Sequence, residues 1–157
     1  MLTIGDTAPA FSLPANSTAD GAAQTLSLAD FAGKKLVVYF YPKDNTPGCT
    51  TEAIDFTAQK AAFDKANTAI VGVSADSVKK HDNFIAKHDL AVTLLSDENH
   101  DMLNAYGVWV EKSMYGKKFM GIERATYLID EAGKIAAIWR KVKVKGHVDE
   151  VLAAAQG

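Results

Sequence analysis

The 157-residue sequence predicts an α/β fold with a central mixed sheet flanked by helices, and three observations carry that reading. Leu36 to Tyr41, "LVVYFY", is an uninterrupted β-branched and aromatic run of the kind covered on both faces of a sheet. Two more apolar runs, "AIVGVSAD" from Ala69 and "AVTLLSD" from Ala91, are separated from it and from each other by segments of helical periodicity. Near the end, "ATYLIDEAGKIAAIWRKVKV" reads as a hairpin turning at Glu131 to Lys134. Strands separated by helices, then a hairpin and a terminal helix, indicate an α/β domain with a mixed sheet.

Taken in order, "AFSLP" is a short extended piece, and Ala15 to Thr25, small, polar and glycine-containing, is a surface loop. "LSLADFAGKK" ends in a Gly-Lys turn that delivers the chain into the Leu36 strand. A helix begins near Thr46 or Pro47, because Thr is a good N-cap and Pro is tolerated in the first turn, and it places Ala53, Phe56 and Phe63 on one face. After the second strand a helix starts at about Ser77 with Val78, Phe84 and Ile85 inward. A short helix from Asn99 to Tyr106 stops at Gly107, and a last helix holds Val148, Val151 and Leu152 in register. The segment "RKVKVKGH", Arg140 to His147, reads as a half-exposed strand with a solvated lysine face.

Hydrophobic residues make up 48% and charged residues 23%, a balance that predicts one self-folding domain over residues 1–157. A net charge of −2 gives no global attraction to nucleic acid or anionic membranes. No apolar run reaches the length of a membrane span, and "MLTIGDTAPAF" lacks the pattern of a signal peptide, so a cytoplasmic location is expected. The single cysteine, Cys49, can make neither an internal disulfide nor a cysteine-based zinc site.

Out of context a lone cysteine is most often a small buried hydrophobe. Cys49, however, comes a few residues beyond a buried central strand and within the first turn of the next helix, where free N–H groups and the dipole stabilise an anion. Thr46, three residues earlier, is either a plain helix cap or a hydroxyl for a small polar substrate held beside the sulfur. Pro42 and Pro47 rigidify the loop. Arg124, read from its position alone, is an arginine at a strand start, and Glu52 is an acidic residue suited to a helix's first turn.

The segment "FYPKDNTPGCTTE" resembles the active-site segment of the peroxiredoxins, in which a Pro is followed by three residues, a Thr or Ser, two residues and a Cys; Pro42, Thr46 and Cys49 meet that pattern. The longer likeness is to the bacterioferritin comigratory protein (PrxQ) subfamily. It extends to "GDTAPAFSLP", "LSLADFAGKKLVVYFYPKD" and "YGVWVEKSMYGKKFMGIERATYLID", and so spans nearly the whole chain. The resemblance implies a thioredoxin-like fold and a peroxidase acting on hydrogen peroxide or organic hydroperoxides, with no cofactor and no metal. It implies that Cys49 is the peroxidatic cysteine, that Thr46 hydrogen-bonds the peroxide, that Pro42 shields the site, and that Arg124 contacts thiolate and substrate. Glu52, one helical turn after Cys49, is placed to orient that arginine, the helix dipole being the other account of an acid there.

The sequence also departs from the subfamily. Many relatives carry a resolving cysteine five residues after the peroxidatic one, and Ile54 occupies that place here. A one-cysteine enzyme needs an external thiol, such as glutathione, glutaredoxin or thioredoxin, before more peroxide drives the sulfenic acid further. A monomer or weak homodimer is expected. Rival readings are a peroxide sensor or redox-regulated chaperone, and a thiol-disulfide oxidoreductase, which "CTTE" disfavours by placing Glu52 where a second redox cysteine would sit. His81, His88, His100 and His147 are read as surface or capping residues, and Trp109 and Tyr115 as packing near the site.

Overall fold

The computed structural model describes residues 1–157. The first half contains β1 (Ser12–Ala15), β2 (Gln24–Ser27), a 3-10 turn, β3 (Lys35–Phe40), α1 (Pro47–Ala58), α2 (Lys60–Lys65) and β4 (Thr68–Ser74). The second half contains α3 (Val78–His88), β5 (Thr93–Ser96), α4 (Asp101–Ala105), β6 (Trp109–Met114), β7 (Lys117–Ile122), β8 (Ala125–Ile129), β9 (Ile135–Arg140) and α5 (His147–Gln156). Seven strands form one sheet in the order β2-β1-β5-β4-β3-β8-β9, and β6 and β7 form a separate hairpin.

The expected mixed sheet is present. Strands β3, β4 and β5 run parallel, β8 joins β3 antiparallel, and β9 follows β8. The Leu36 run is fully buried because both faces are covered. Leu36, Val38 and Phe40 face the core that holds Met102, Leu103 and Tyr106 of and beside α4. Val37, Tyr39 and Tyr41 face the core built with Cys49, Phe56, Phe84 and Val151, which come from α1, α3 and α5.

Several expectations are corrected. Gln24 and Thr25, read as the end of a loop, join Leu26 and Ser27 in β2 and pair antiparallel with β1, a short edge pairing with too little alternation to announce itself. The helix carrying Ala53 and Phe56 ends at Gln59, and Phe63 is buried from the separate helix α2. The lysine-valine segment is not strand beyond Arg140: Lys141 takes φ 49°, a left-handed turn that ends β9, and the chain then loops to α5. Tyr115 sits at the tip of the β6–β7 hairpin, 98% exposed, and packs on nothing near Cys49. No helix of the structure is long and apolar enough to cross a membrane.

Two of the four histidines also depart from expectation. His81 is fully buried and His147 nearly so, its Nε2 paired with the Thr126 hydroxyl at 2.8 Å. His81 lies three residues before Phe84, on the same inward helix face, so the helical period was a signal for its burial. His100 stacks on Trp109 at 3.9 Å between ring centroids, and His88 meets Phe84 edge-on.

Candidate active site

Strand β3 ends at Phe40, and the loop that follows carries Pro42 and Thr46 into α1. Sites at the carboxyl ends of parallel strands are the usual outcome of this architecture, because the strand-to-helix loops gather there. Thr46 occupies the N-cap position with Pro47 directly after it, as the sequence predicts. Its side chain does not cap the helix, however: the hydroxyl donates to the Lys43 carbonyl at 2.8 Å. Of the two readings of Thr46, the simple cap is therefore not what the fold uses.

Cys49 is the third residue of α1 and is 1% exposed. The first helical backbone bond runs from the Thr50 N–H to the Thr46 carbonyl at 2.9 Å. The N–H groups of Gly48 and Cys49 consequently lie ahead of the hydrogen-bond ladder, at the positive end of the helix dipole. From the opposite side, at the junction between β7 and β8, Arg124 donates from Nη2 to Cys49 Sγ at 3.4 Å. Its other terminal nitrogen donates to Glu52 Oε1 at 2.7 Å.

The tertiary structure thus brings Cys49, Arg124 and Glu52 into one contact group, with Thr46 at the helix start and Pro42 half-buried in the loop before it. Glu52 is a fully enclosed ion-pair partner rather than a solvated first-turn acid. Burial pushes its carboxyl up to about 7, and the neighbouring Arg124 only partly offsets that. Its Oε2 has no partner. Burial works against the charge on Arg124, but Glu52 and Cys49 outweigh it and hold the guanidinium firmly protonated.

Further residues at the site carry no obvious sequence signal. A Cβ added at Gly48 would stand 3.1 Å from Arg124 Nη2, so the missing side chain is what lets the guanidinium approach the helix start. Tyr39 stacks on Phe56 at 4.6 Å and on Tyr41 at 5.5 Å, and its buried hydroxyl has no partner. Burial, then Glu52, raises the Tyr39 phenol well above its ordinary range, so it stays neutral. Lys112 on β6 is lowered by burial and by Arg124 and is raised by Cys49, which places its ammonium within the field of the site. The Lys143-containing loop closes the other side: the Val142 N–H donates to the Arg124 carbonyl at 3.0 Å, and Val144 approaches Gly48.

One group of residues has the composition of a metal site. Asp44, Asp76 and His81 bring a ligand atom each within 4.8 Å of one another, all buried. Those atoms are already committed: His81 Nδ1 faces Asp44 Oδ2 at 2.7 Å, and Asp76 Oδ2 accepts from the Asp44 N–H and the Ser74 hydroxyl. A bound cation would have to break this hydrogen-bonded set, so the donor atoms do not fit a ready metal site.

A thioredoxin-like α/β sheet that presents one arginine-paired thiol at the first turn of a helix defines a thiol-based redox enzyme. The chain belongs to the AhpC/TSA family, whose family model matches residues 4–138, and within it to the peroxiredoxins of the bacterioferritin comigratory type. It is 53% identical over 147 residues to peroxiredoxin Bcp of Xanthomonas campestris, covering 94% of this chain and 90% of the relative. It is 50% identical over 151 residues to a putative peroxiredoxin bcp of Coxiella burnetii, covering 96% of this chain and 97% of the relative. Among solved structures, it is similar to the Xanthomonas campestris bacterioferritin comigratory protein studied for alkyl peroxide reduction. That match has a TM-score of 0.84 at 50% identity and covers 93% of this chain and 90% of the other. A PrxQ variant from Xylella fastidiosa superposes with a TM-score of 0.89 at 40% identity, covering 98% and 94%.

Proposed function

We propose that the protein is a thiol-dependent peroxidase that reduces hydrogen peroxide and organic hydroperoxides at Cys49 and is returned to the thiol by an external reductant. The observation that carries this reading is the 3.4 Å contact between Arg124 Nη2 and Cys49 Sγ at the N-terminal turn of α1. A guanidinium donates to the one sulfur of the chain, and the backbone N–H groups of Gly48 and Cys49 stand free at the same helix start. The alkyl peroxide reduction studied in the Xanthomonas campestris relative supports the same substrate class.

In this reading the Cys49 thiolate attacks the terminal peroxide oxygen with its electron pair, the O–O bond breaks, and hydroxide or alkoxide leaves and takes up a proton. Sulfur is oxidised to sulfenic acid, and the peroxide is reduced to water or alcohol. Arg124 and the helix-start N–H groups face the position where charge spreads over both oxygens, so their contribution grows in the transition state. The Thr46 hydroxyl, which gives its proton to Lys43, offers its oxygen to the peroxide proton. Pro42 limits access of water. Glu52 holds the Arg124 fork in place.

Regeneration needs two external thiols: one condenses with the sulfenic acid and releases water, and the second reduces the mixed disulfide. Ile54, at the place of the usual resolving cysteine, is 44% exposed and carries no thiol. Glutathione, glutaredoxin or thioredoxin serves as the donor, and the protein acts as a single domain, monomeric or as a weak homodimer. Stopped-flow oxidation of Cys49 by hydrogen peroxide and an alkyl hydroperoxide, followed by turnover with each donor, tests the reading. Oxidation no faster than that of free cysteine would remove it; fast oxidation that no donor reverses would favour the sensor.

A further inference from the structure

We propose that Asp44, Asp76 and His81 are positioning residues for the peroxide reaction, acting through the peptide unit that joins Lys43 to Asp44 and hence through the Thr46 hydroxyl. This inference rests on the peroxidase reading and adds residues that do not touch the sulfur.

The Lys43–Asp44 peptide is held from both ends. Its carbonyl accepts from the Thr46 hydroxyl at 2.8 Å, and its N–H donates to Asp76 Oδ2 at 2.9 Å. Asp76 is fixed in turn, because the same oxygen accepts from the Ser74 hydroxyl at 2.7 Å at the end of β4. The Asp44 side chain turns inward and is 2% exposed. Its Oδ1 accepts from the Tyr41 hydroxyl at 2.5 Å, and its Oδ2 meets His81 Nδ1 at 2.7 Å. His81, wholly buried on α3, donates from Nε2 to the Leu95 carbonyl of β5 at 2.9 Å.

The ends of β3 and β4, through Tyr41, Ser74 and Asp76, and α3 with β5, through His81, therefore fix Asp44 by both its side chain and its peptide N–H, two residues before Thr46. A loop residue normally faces solvent, and burying a carboxylate among a histidine, a tyrosine and a second aspartate is costly unless every atom is matched. Here the matching is complete for both Asp44 oxygens. The geometric consequence is local: if the peptide plane rotates, the acceptor of the Thr46 hydroxyl moves, and with it the oxygen that faces a bound peroxide. Misplacement of a reacting partner by about 1 Å lowers rates by as much as about 100-fold.

The test is a double-mutant cycle on the second-order rate of Cys49 oxidation by hydrogen peroxide, using wild type, Thr46→Val, Asp76→Ala and the double variant. Each single variant should be at least tenfold slower, and the double variant should match Thr46→Val within about twofold, because both changes act on one hydroxyl. Multiplicative losses in the double variant, or wild-type rates in a folded Asp76→Ala variant, overturn the inference. Should Asp76→Ala fail to fold, Tyr41→Phe, which removes only the hydroxyl bound to Asp44, takes its place in the cycle with the same two outcomes. Slow oxidation of the wild-type protein would instead count against the peroxidase reading itself.

Discussion

Arg124 binds Glu52 at 2.7 Å with one terminal nitrogen while the other reaches Cys49, so one guanidinium bridges the acid and the thiol that α1 carries one turn apart. The side chain of Glu52 is fully enclosed and that of Arg124 is 16% exposed, which makes the pair dependent on geometry rather than on bulk attraction.

Replacing Arg124 with Ala should slow peroxide oxidation of Cys49 by at least about 100-fold, since one preorganised donor of this kind is typically worth 10²–10³ in rate. The loss of stability should be smaller near neutral pH than at alkaline pH, because Glu52, its carboxyl already raised to about 7, takes up a proton when its cation is removed. Arg124→Lys should restore little of the rate, because an ammonium cannot span sulfur and carboxylate with two separate nitrogens. Stopped-flow oxidation and urea unfolding read the two effects, and a normal rate in Arg124→Ala would contradict the assigned contact.

Glu52 should make stability depend on pH. Its carboxyl is raised from 4.5 to about 7 in the folded protein, so between those values the native state holds a proton that the unfolded chain has released. The contribution is present in full below about pH 4.5 and is lost as pH rises through about 7. At one pKa unit per 1.36 kcal/mol, the loss is on the order of 3 kcal/mol. Urea midpoints of wild type should fall from pH 5 to pH 8 by more than those of Glu52→Gln; parallel curves for the two proteins would show that Glu52 is not the titrating group.

Gly48→Ala should separate stability from activity. The new methyl would stand 3.1 Å from Arg124 Nη2, the far end of a flexible side chain, so the guanidinium shifts by a few tenths of an ångström and the fold tolerates it. Helix propensity gained near the start of α1 offsets the contact, and stability should stay within about 1 kcal/mol. Oxidation should nevertheless slow several-fold as Nη2 is displaced from the sulfur. An unchanged rate would mean that the close approach of Arg124 is incidental.

Ile54→Cys places a thiol on the outer face of α1, while Cys49 faces the core. Residues five apart in a helix are separated by about 7.5 Å along its axis, beyond the reach of an unstrained disulfide. After peroxide treatment this variant should lose both free thiols, and far-ultraviolet circular dichroism should show partial loss of helix as α1 unwinds to form the bond. Retention of one free thiol per chain would show that α1 does not open.

The sheet was largely legible because its three parallel strands are apolar on both faces, a pattern that composition alone reveals. Edge pairing was less so: Gln24 to Ser27 has no alternation, and only β1 lying alongside makes it a strand. The lysine-valine segment alternates as a strand would, yet Lys141 turns it away, since periodicity does not report a left-handed φ.

At the site, the sequence by itself determined that the one thiol stands at a helix start. Cys49 follows Thr46 and Pro47, and local rules of capping and dipole act over that short distance. Tertiary structure alone decided which partners reach it. Arg124 is 75 residues away in sequence, and only the antiparallel pairing of β8 with β3 brings it over the sulfur. The same holds for His81, whose burial opposite Asp44 turns a residue read as surface into a support for the loop. Local propensities specify where a helix begins, whereas the identity of a buried partner depends on which distant elements the packing of the sheet places together.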